Sequence, residues 1–388
     1  MDLICWAKSI AEERISELPL RKINVIDLFS GCGGLSYGFH HLTKNGNSVF
    51  RHLGAFDFDK NATETHRRSL AVPVHNLDLA SATPADLIRV INPRNKNLPR
   101  PLIVIGGPPC QGFSAHRKKD PRKDTRNKLV AQFAQLGAGL DADLIVMENV
   151  RDLQSDRHRA HFDSFCRILE KAGYLTNSSV VNLAEFGVPQ KRYRSLTLAW
   201  KKGVPASPKP VLGERDFHTV RDAIGGLPCV KAGAAPSSDD SMHFTSKHSR
   251  NTLSILRQIP DDGGSRPKGV GPKCLDRVAG FSDVYGRLAW DRPAVTLTTR
   301  CRTPSGGRYT HPEQHRGLTV REAAILQGFP LDFFFAGPFD TKFRQIGNAV
   351  PPIFSLFLAS HVYALFANAK PSVKNSRSRH REPTTDLF

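Results

Sequence analysis

The chain has 388 residues, 39% of them hydrophobic, which is enough for a large domain and a smaller one with real cores. Its 55 Lys and Arg stand against 36 acids, a formal charge of +19 that draws polyanions, because each neutralised phosphate releases condensed counterions. No run of 18 apolar residues and no cleavable signal pattern is present, so a soluble intracellular protein is expected; an odd set of seven cysteines without a CxxC argues against a disulfide scaffold and a structural zinc site.

In chain order, 1–18 can form a short helix and 23–28 (Ile-Asn-Val-Ile-Asp-Leu) reads as a short buried strand. A Gly-rich turn at 31–34 leads into a helix. A strand is expected at 49–58, a helix at 61–70, a short strand at 72–77 and a helix at 85–91. The apolar run 102–105 ends in Gly-Gly-Pro-Pro, and 144–147 ends in Glu148-Asn149, with a helix between them at 127–136. A helix at 162–171 and strands at 179–183 and 195–200 follow. This alternation predicts a three-layer α/β sandwich with a largely parallel sheet, whose ligands bind beyond the carboxyl ends of the strands. From 201 to 287 the chain is rich in Gly, Pro, Ser and Lys and reads as irregular. Helical periodicity returns at 319–326, with Thr319 as cap and Glu322 three residues on. A last apolar helix at 353–367 is expected to pack back on the first domain, and the basic end from about residue 370 is expected to be disordered.

The chemistry-bearing residues fall at the strand ends. Asp27-Leu-Phe-Ser-Gly31-Cys-Gly33-Gly34 is a strand entering a Gly-rich turn, which lets backbone approach a nucleotide-like ligand. It is neither a phosphate loop nor a full GxGxxG, and Asp57 and Asp78 end the next strands. Acids there suit ribose hydroxyls and an adenine amine, which favours S-adenosylmethionine over a dinucleotide; the plain alternative is a tight turn with capping acids. Gly106-Gly-Pro-Pro-Cys110-Gln111 holds a cysteine stiffly at a strand end, and His116, Arg117, Lys118 and Lys119 nearby favour its thiolate. A buried, inert cysteine is the alternative. Glu148 follows four apolar residues, so partial burial would raise its pKa and let it donate to a ring nitrogen. Arg192 and Arg194 share one face of an extended segment, suited to a base carbonyl, a phosphate or a carboxylate; alone they also fit a basic edge strand.

Together, in this order, the segments resemble the cytosine-5 DNA methyltransferases of bacterial modification systems over about three-quarters of the chain. The resemblance rests on 27–34, Pro108-Pro109-Cys110-Gln111, Glu148-Asn149-Val150 and 190–194. It continues through Tyr285-Gly-Arg-Leu, Arg292-Pro293-Ala294, the block 321–330 and Gly347-Asn348-Ala-Val-Pro351. It implies a Rossmann-like S-adenosylmethionine-dependent domain (1–200 with 340–370), a smaller irregular target-recognition domain with a hinge (201–339) and a basic tail (371–388). It implies Cys110 as nucleophile, Glu148 on ring nitrogen 3 and the exocyclic amine, Arg192 on the base carbonyl, and Arg194 supporting Glu148 or a phosphate. For the cofactor it points to Phe29, Gly31, Gly33, Asp57, Phe58, Asp78, Leu79, Pro109, Leu129 and Asn348, with Asp57 standing where Glu is more usual. Cys32 reads as a small turn residue. Candidate DNA contacts are Gln111, Ser114, Arg117 and Lys118 in the closing segment 111–126, and Arg250, Arg257 and Arg266 in the recognition region.

The implied partner is double-stranded DNA, with no metal and no membrane. The expected setting is a monomer in the bacterial cytoplasm, at the nucleoid while acting, beside a companion restriction endonuclease. Two rivals are weighed. A transfer-RNA cytosine methyltransferase would carry a Cys-Phe-Thr segment that is absent here. A silent DNA-binding protein would not need Cys110, Glu148 and Arg192 together.

Overall fold

The computed structural model describes residues 2–94, 97–109, 128–236, 238–277 and 283–369. Cys110, Gln111, Ser114, Arg117, Lys118 and the tail lie outside them. The short apolar runs form one seven-stranded sheet. Five strands are parallel: β1 (Ile23–Leu28), β2 (Phe50–Asp57), β3 (Val74–Asn76), β4 (Leu102–Gly106) and β5 (Leu144–Val150). β6 (Leu175–Asn182) runs in the same direction at the far edge, and only β7 (Tyr193–Trp200), antiparallel to both β5 and β6, runs against the rest; the order across the sheet is β3-β2-β1-β4-β5-β7-β6. Strands covered on both faces are mainly apolar, and β1 and β4 are buried throughout, with Asn24 and Asp27 as the buried polar residues of β1.

Successive side chains serve opposite layers. Val25, Ile103, Ile105 and Val146 face a core built with α1 (Leu3–Glu13), α2 (Gly34–His41) and a late helix, α11 (Pro352–Asn368). Ile26, Leu28, Val104 and Met147 face the other core, with α4 (Pro84–Ile91), α5 (Lys128–Gly139) and α6 (Arg159–Lys171). The helix α3 (Lys60–Ser69) links β2 to β3. The stretch 339–368 is apolar and long enough to cross a bilayer by composition, but 78% of its apolar window is buried inside the fold. Helix α11 is apolar all round because the fold surrounds it.

Strand β6 begins at Leu175, because an edge strand can carry Thr176-Asn177-Ser178-Ser179 without an apolar run, and 183–186 coil into a 3₁₀ turn. The second region is less irregular than its composition suggests. It holds α7 (Val220–Ile224), α8 (Arg250–Arg257), α9 (Val320–Leu326) and α10 (Phe339–Asn348). Its core joins Val220, Trp290, Leu297, Leu318, Phe329, Phe333, Phe335, Phe343 and Ile346. Thr319 and Glu322 form the expected capping box, and Arg316 grips both Glu322 oxygens at 2.7 Å inside the fold. Helix α10 packs into this second core, and the chain rejoins the sheet unit with α11.

Candidate active site

The loops after β1, β2, β4 and β5 converge at the carboxyl end of the parallel strands. After β1 the backbone turns through left-handed conformations at Phe29, Gly31 and Gly33. At Gly33 (φ +90°) a Cβ would also overlap the ring of His66, so only glycine fits. Asp57, at the end of β2, braces the turn: its Oδ2 accepts from Gly31 N–H and its Oδ1 from Asp59 N–H, each at 2.9 Å. Burial pushes the Asp57 carboxyl above its usual range, opposed by these donors. Beside it Phe58 is 65% exposed, an aromatic face left open to a planar group.

The other expected cofactor residues lie around the same strand ends. Phe29 leans on Phe133, Asp78 is exposed with Oδ1 accepting from Ala80 N–H, and Leu79 is buried. Leu129 and Pro109 are half-buried, and exposed Asn348 closes α10. A close-approach glycine turn, a buried acid and an open aromatic, with no basic side chain in the turn, fit an adenosyl group better than a polyphosphate. Asp27 Oδ1 and Ser30 Oγ are buried there without a partner.

Glu148 is carried on β5 opposite β7. Its Oε1 lies 3.0 Å from Arg194 Nε, and both side chains are almost sealed from solvent. Burial raises the Glu148 pKa, and Arg194 and then Arg192 pull it back. A Cβ on Gly107 would stand 3.6 Å from Glu148 Oε2, and Asn149 Nδ2 donates to Pro108 O at 3.0 Å. Asn149 thus holds the backbone that leads into Cys110, and Glu148 lies beside it.

The C-5 cytosine-specific DNA methylase family matches this chain over residues 23–363. The chain belongs to that family. It is 34% identical over 348 residues to "Type II methylase M.HgiDII" of Herpetosiphon aurantiacus, covering 87% of this chain and 94% of the relative. It is 34% identical over 352 residues to "Type II methyltransferase M1.HphI" of Haemophilus parahaemolyticus, covering 89% and 88%. A crystal structure described as a DNA modification methyltransferase encoded within a prophage (E. coli) superposes with a TM-score of 0.69 at 25% identity, over 89% of this chain and 99% of that one. The Entamoeba histolytica methyltransferase EhMeth shares the fold at 17% identity and a TM-score of 0.58. This methylase is a DNA cytosine-5 methyltransferase that uses S-adenosylmethionine.

Within the methylase, Arg192 departs from its expected place on the base. It is 2% exposed, and its NH1 donates to Leu297 O at 2.9 Å while NH2 donates to Gly347 O at 3.1 Å and Ala349 O at 3.4 Å. Its terminal nitrogens are spent on backbone carbonyls, and Arg194 is the arginine beside Glu148. Arg266 is likewise committed: it pairs with Asp276 at 2.8 Å and donates to Val270 O at 2.7 Å, clamping its own loop rather than facing a guanine edge. Arg250 and Arg257 are exposed on α8. Cys32 is buried in the aromatic core, and burial pushes its thiol up to about 12, so it supplies no thiolate near neutral pH.

Sequence reasoning missed three residues of the methylase site. Gln190 donates to Gln327 Oε1 at 2.9 Å and accepts from Leu297 N–H at 2.9 Å, joining β7 to the second region. Asn149 orients the Pro108 backbone. Asp27 is fully buried, accepts from Ser36 Oγ at 2.6 Å, and is pushed up to about 8 by burial. All three stand inside the sequence motifs, but nothing in their spacing assigns them partners.

Proposed function

We propose that this methylase works through Cys110, with Glu148 and Arg194 gripping a cytosine flipped out of duplex DNA. The observation that carries the reading is the buried Glu148–Arg194 pair set against the Gly107–Pro109 backbone. The Cys110 thiolate adds to carbon 6, forming a C–S bond, while ring nitrogen 3 takes a hydrogen bond or proton from the Glu148 carboxyl. Arg194 meets the base carbonyl and keeps Glu148 oriented. Bound S-adenosylmethionine supplies the electrophilic methyl group that carbon 5 accepts. Loss of the carbon 5 proton to water, with return of any proton on ring nitrogen 3 to Glu148, then breaks the C–S bond, expels the thiolate and restores the ring. A base inside the stack cannot reach this site, so it must be extruded. Arg192 is a positioning residue for β7.

Gly31, Gly33, Asp57 and Phe58 would hold the adenosyl group, with Phe29, Asp78, Leu79, Pro109, Leu129 and Asn348 around it. The catalytic domain is the sheet unit, 1–200 with α11, rather than with all of 340–370, because α10 packs into the second core. The region 201–339 reads the DNA with Arg250 and Arg257 as contacts, while Gln111, Ser114, Arg117 and Lys118 close over the base. The relatives named as type II methyltransferases of bacteria support a pairing with a restriction endonuclease; the same reading takes the enzyme as a monomer of the bacterial cytoplasm. Duplex DNA carrying 5-fluorocytosine tests the mechanism, because fluorine blocks the final elimination. The expected result is a denaturation-resistant adduct on the Cys110 peptide; no adduct on DNA that the enzyme demonstrably methylates contradicts it.

A further inference from the structure

The tight turn at 299–302 carries two arginines in opposite circumstances. The segment before it runs beside β7: Ala294 bridges Gln190, Thr296 Oγ1 donates to Lys191 O at 2.8 Å, and Leu297 O accepts from Arg192. The turn therefore begins next to the residues that lead into Arg194 and Glu148. It is held on every side. Cys301 is fully buried in the second core. Tyr309 OH reaches Thr296 O at 3.1 Å and Thr298 Oγ1 at 3.3 Å, and Arg300 N–H donates to Thr298 Oγ1 at 3.2 Å. The Thr298 backbone lies so close to Gly347 that a Cβ there would overlap it.

On one side of Cys301, Arg302 is paired with Asp340 at 3.0 Å. On the other side Arg300 is exposed, and among the described residues no carboxylate pairs with it. A guanidinium that no described carboxylate compensates, carried on a braced backbone, is placed to meet an anion, at the cost of ordering its own side chain alone. A cytosine drawn into the pocket brings its own phosphates to the pocket mouth. We propose that Arg300 binds a backbone phosphate flanking the flipped cytosine and so anchors the DNA strand over Glu148 and Arg194. The assignment rests on the base-flipping reading above.

The test is tritium transfer from labelled S-adenosylmethionine to long unmethylated genomic DNA, which contains any short target many times, at a series of KCl concentrations. The parent is compared with Arg300→Gln, Arg300→Lys and Lys202→Gln; Lys202 follows the end of β7, at the end of the sheet away from the site. One lost phosphate contact flattens the slope of log kcat/KM against log[KCl] by about 0.9 in Arg300→Gln. Arg300→Lys and Lys202→Gln keep the parent slope, and KM for S-adenosylmethionine is unchanged in all. A parent slope retained by Arg300→Gln, or a loss of kcat/KM without a change of slope, overturns the assignment. A parent that labels DNA yet forms no adduct with 5-fluorocytosine overturns the flipping reading instead.

Discussion

Arg194 Nε lies 3.0 Å from Glu148 Oε1, a cation and a carboxyl held together at the end of adjacent antiparallel strands with little solvent to screen them. Burial drives the carboxyl toward its neutral form and the arginine opposes it, so Glu148 holds its proton more readily than an exposed glutamate does. If the protonated acid serves ring nitrogen 3, kcat falls as pH rises through the Glu148 pKa. Glu148→Gln should lower kcat by about 10²–10⁴-fold and remove that alkaline limb. Arg194→Gln, which removes the charge that lowers the pKa, should move the limb to higher pH. Stopped-time methyl transfer across pH reads both.

The two arginines of β7 separate by what they lose. Arg192→Lys cannot keep the three carbonyl contacts of the guanidinium, and the cost should be about 1–3 kcal/mol of stability. Thermal unfolding in the absence of DNA measures it. Arg194→Lys should leave the melting temperature closer to the parent and depress kcat instead. Equal stability loss with equal kcat loss would merge the two roles.

Gly33→Ala places a Cβ against the His66 ring in a backbone conformation that disfavours side chains. Strain of about 1–3 kcal/mol in the turn should raise KM for S-adenosylmethionine by roughly tenfold or more. Binding of duplex DNA, followed by fluorescence anisotropy, should change little.

His66 is buried with neither ring nitrogen partnered, the half-buried His52 has its ring nitrogens sealed from solvent beside Phe39, and burial depresses each from 6.5 to about 3. The folded state therefore binds fewer protons than the unfolded chain below about pH 6.5. Stability is full above that value and declines as pH falls from 6.5 toward 3. Urea unfolding at pH 7 and pH 5 should show the loss, and a His52→Asn, His66→Gln pair should shrink the difference between the two pH values.

The parallel strands are legible in the sequence because burial on both faces demands unbroken apolar runs, as in 102–105 and 144–147. Their carboxyl ends then place Asp57, the Gly107 loop and Glu148 in one neighbourhood. Only the second half of strand β6 is legible, at 179–182; its first half, 175–178, carries no apolar pattern, which an edge strand does not need. The second core escapes as well: Phe329, Phe333, Phe335 and Phe343 are spread over loops and a short helix, and only tertiary packing gathers them. Arg192 shows the sharpest limit. Its spacing from Arg194 is visible, but its carbonyl acceptors lie 105 and more residues away, so no local pattern distinguishes the arginine that braces from the one that faces Glu148.

The most direct test of the account is transfer of tritium from methyl-labelled S-adenosylmethionine to duplex DNA and to transfer RNA in parallel, by the parent and by Cys110→Ala. Label on DNA carbon 5 of cytosine with the parent, and none with Cys110→Ala, is the predicted result. Label confined to transfer RNA, or a Cys110→Ala enzyme that methylates DNA as fast as the parent, would contradict it.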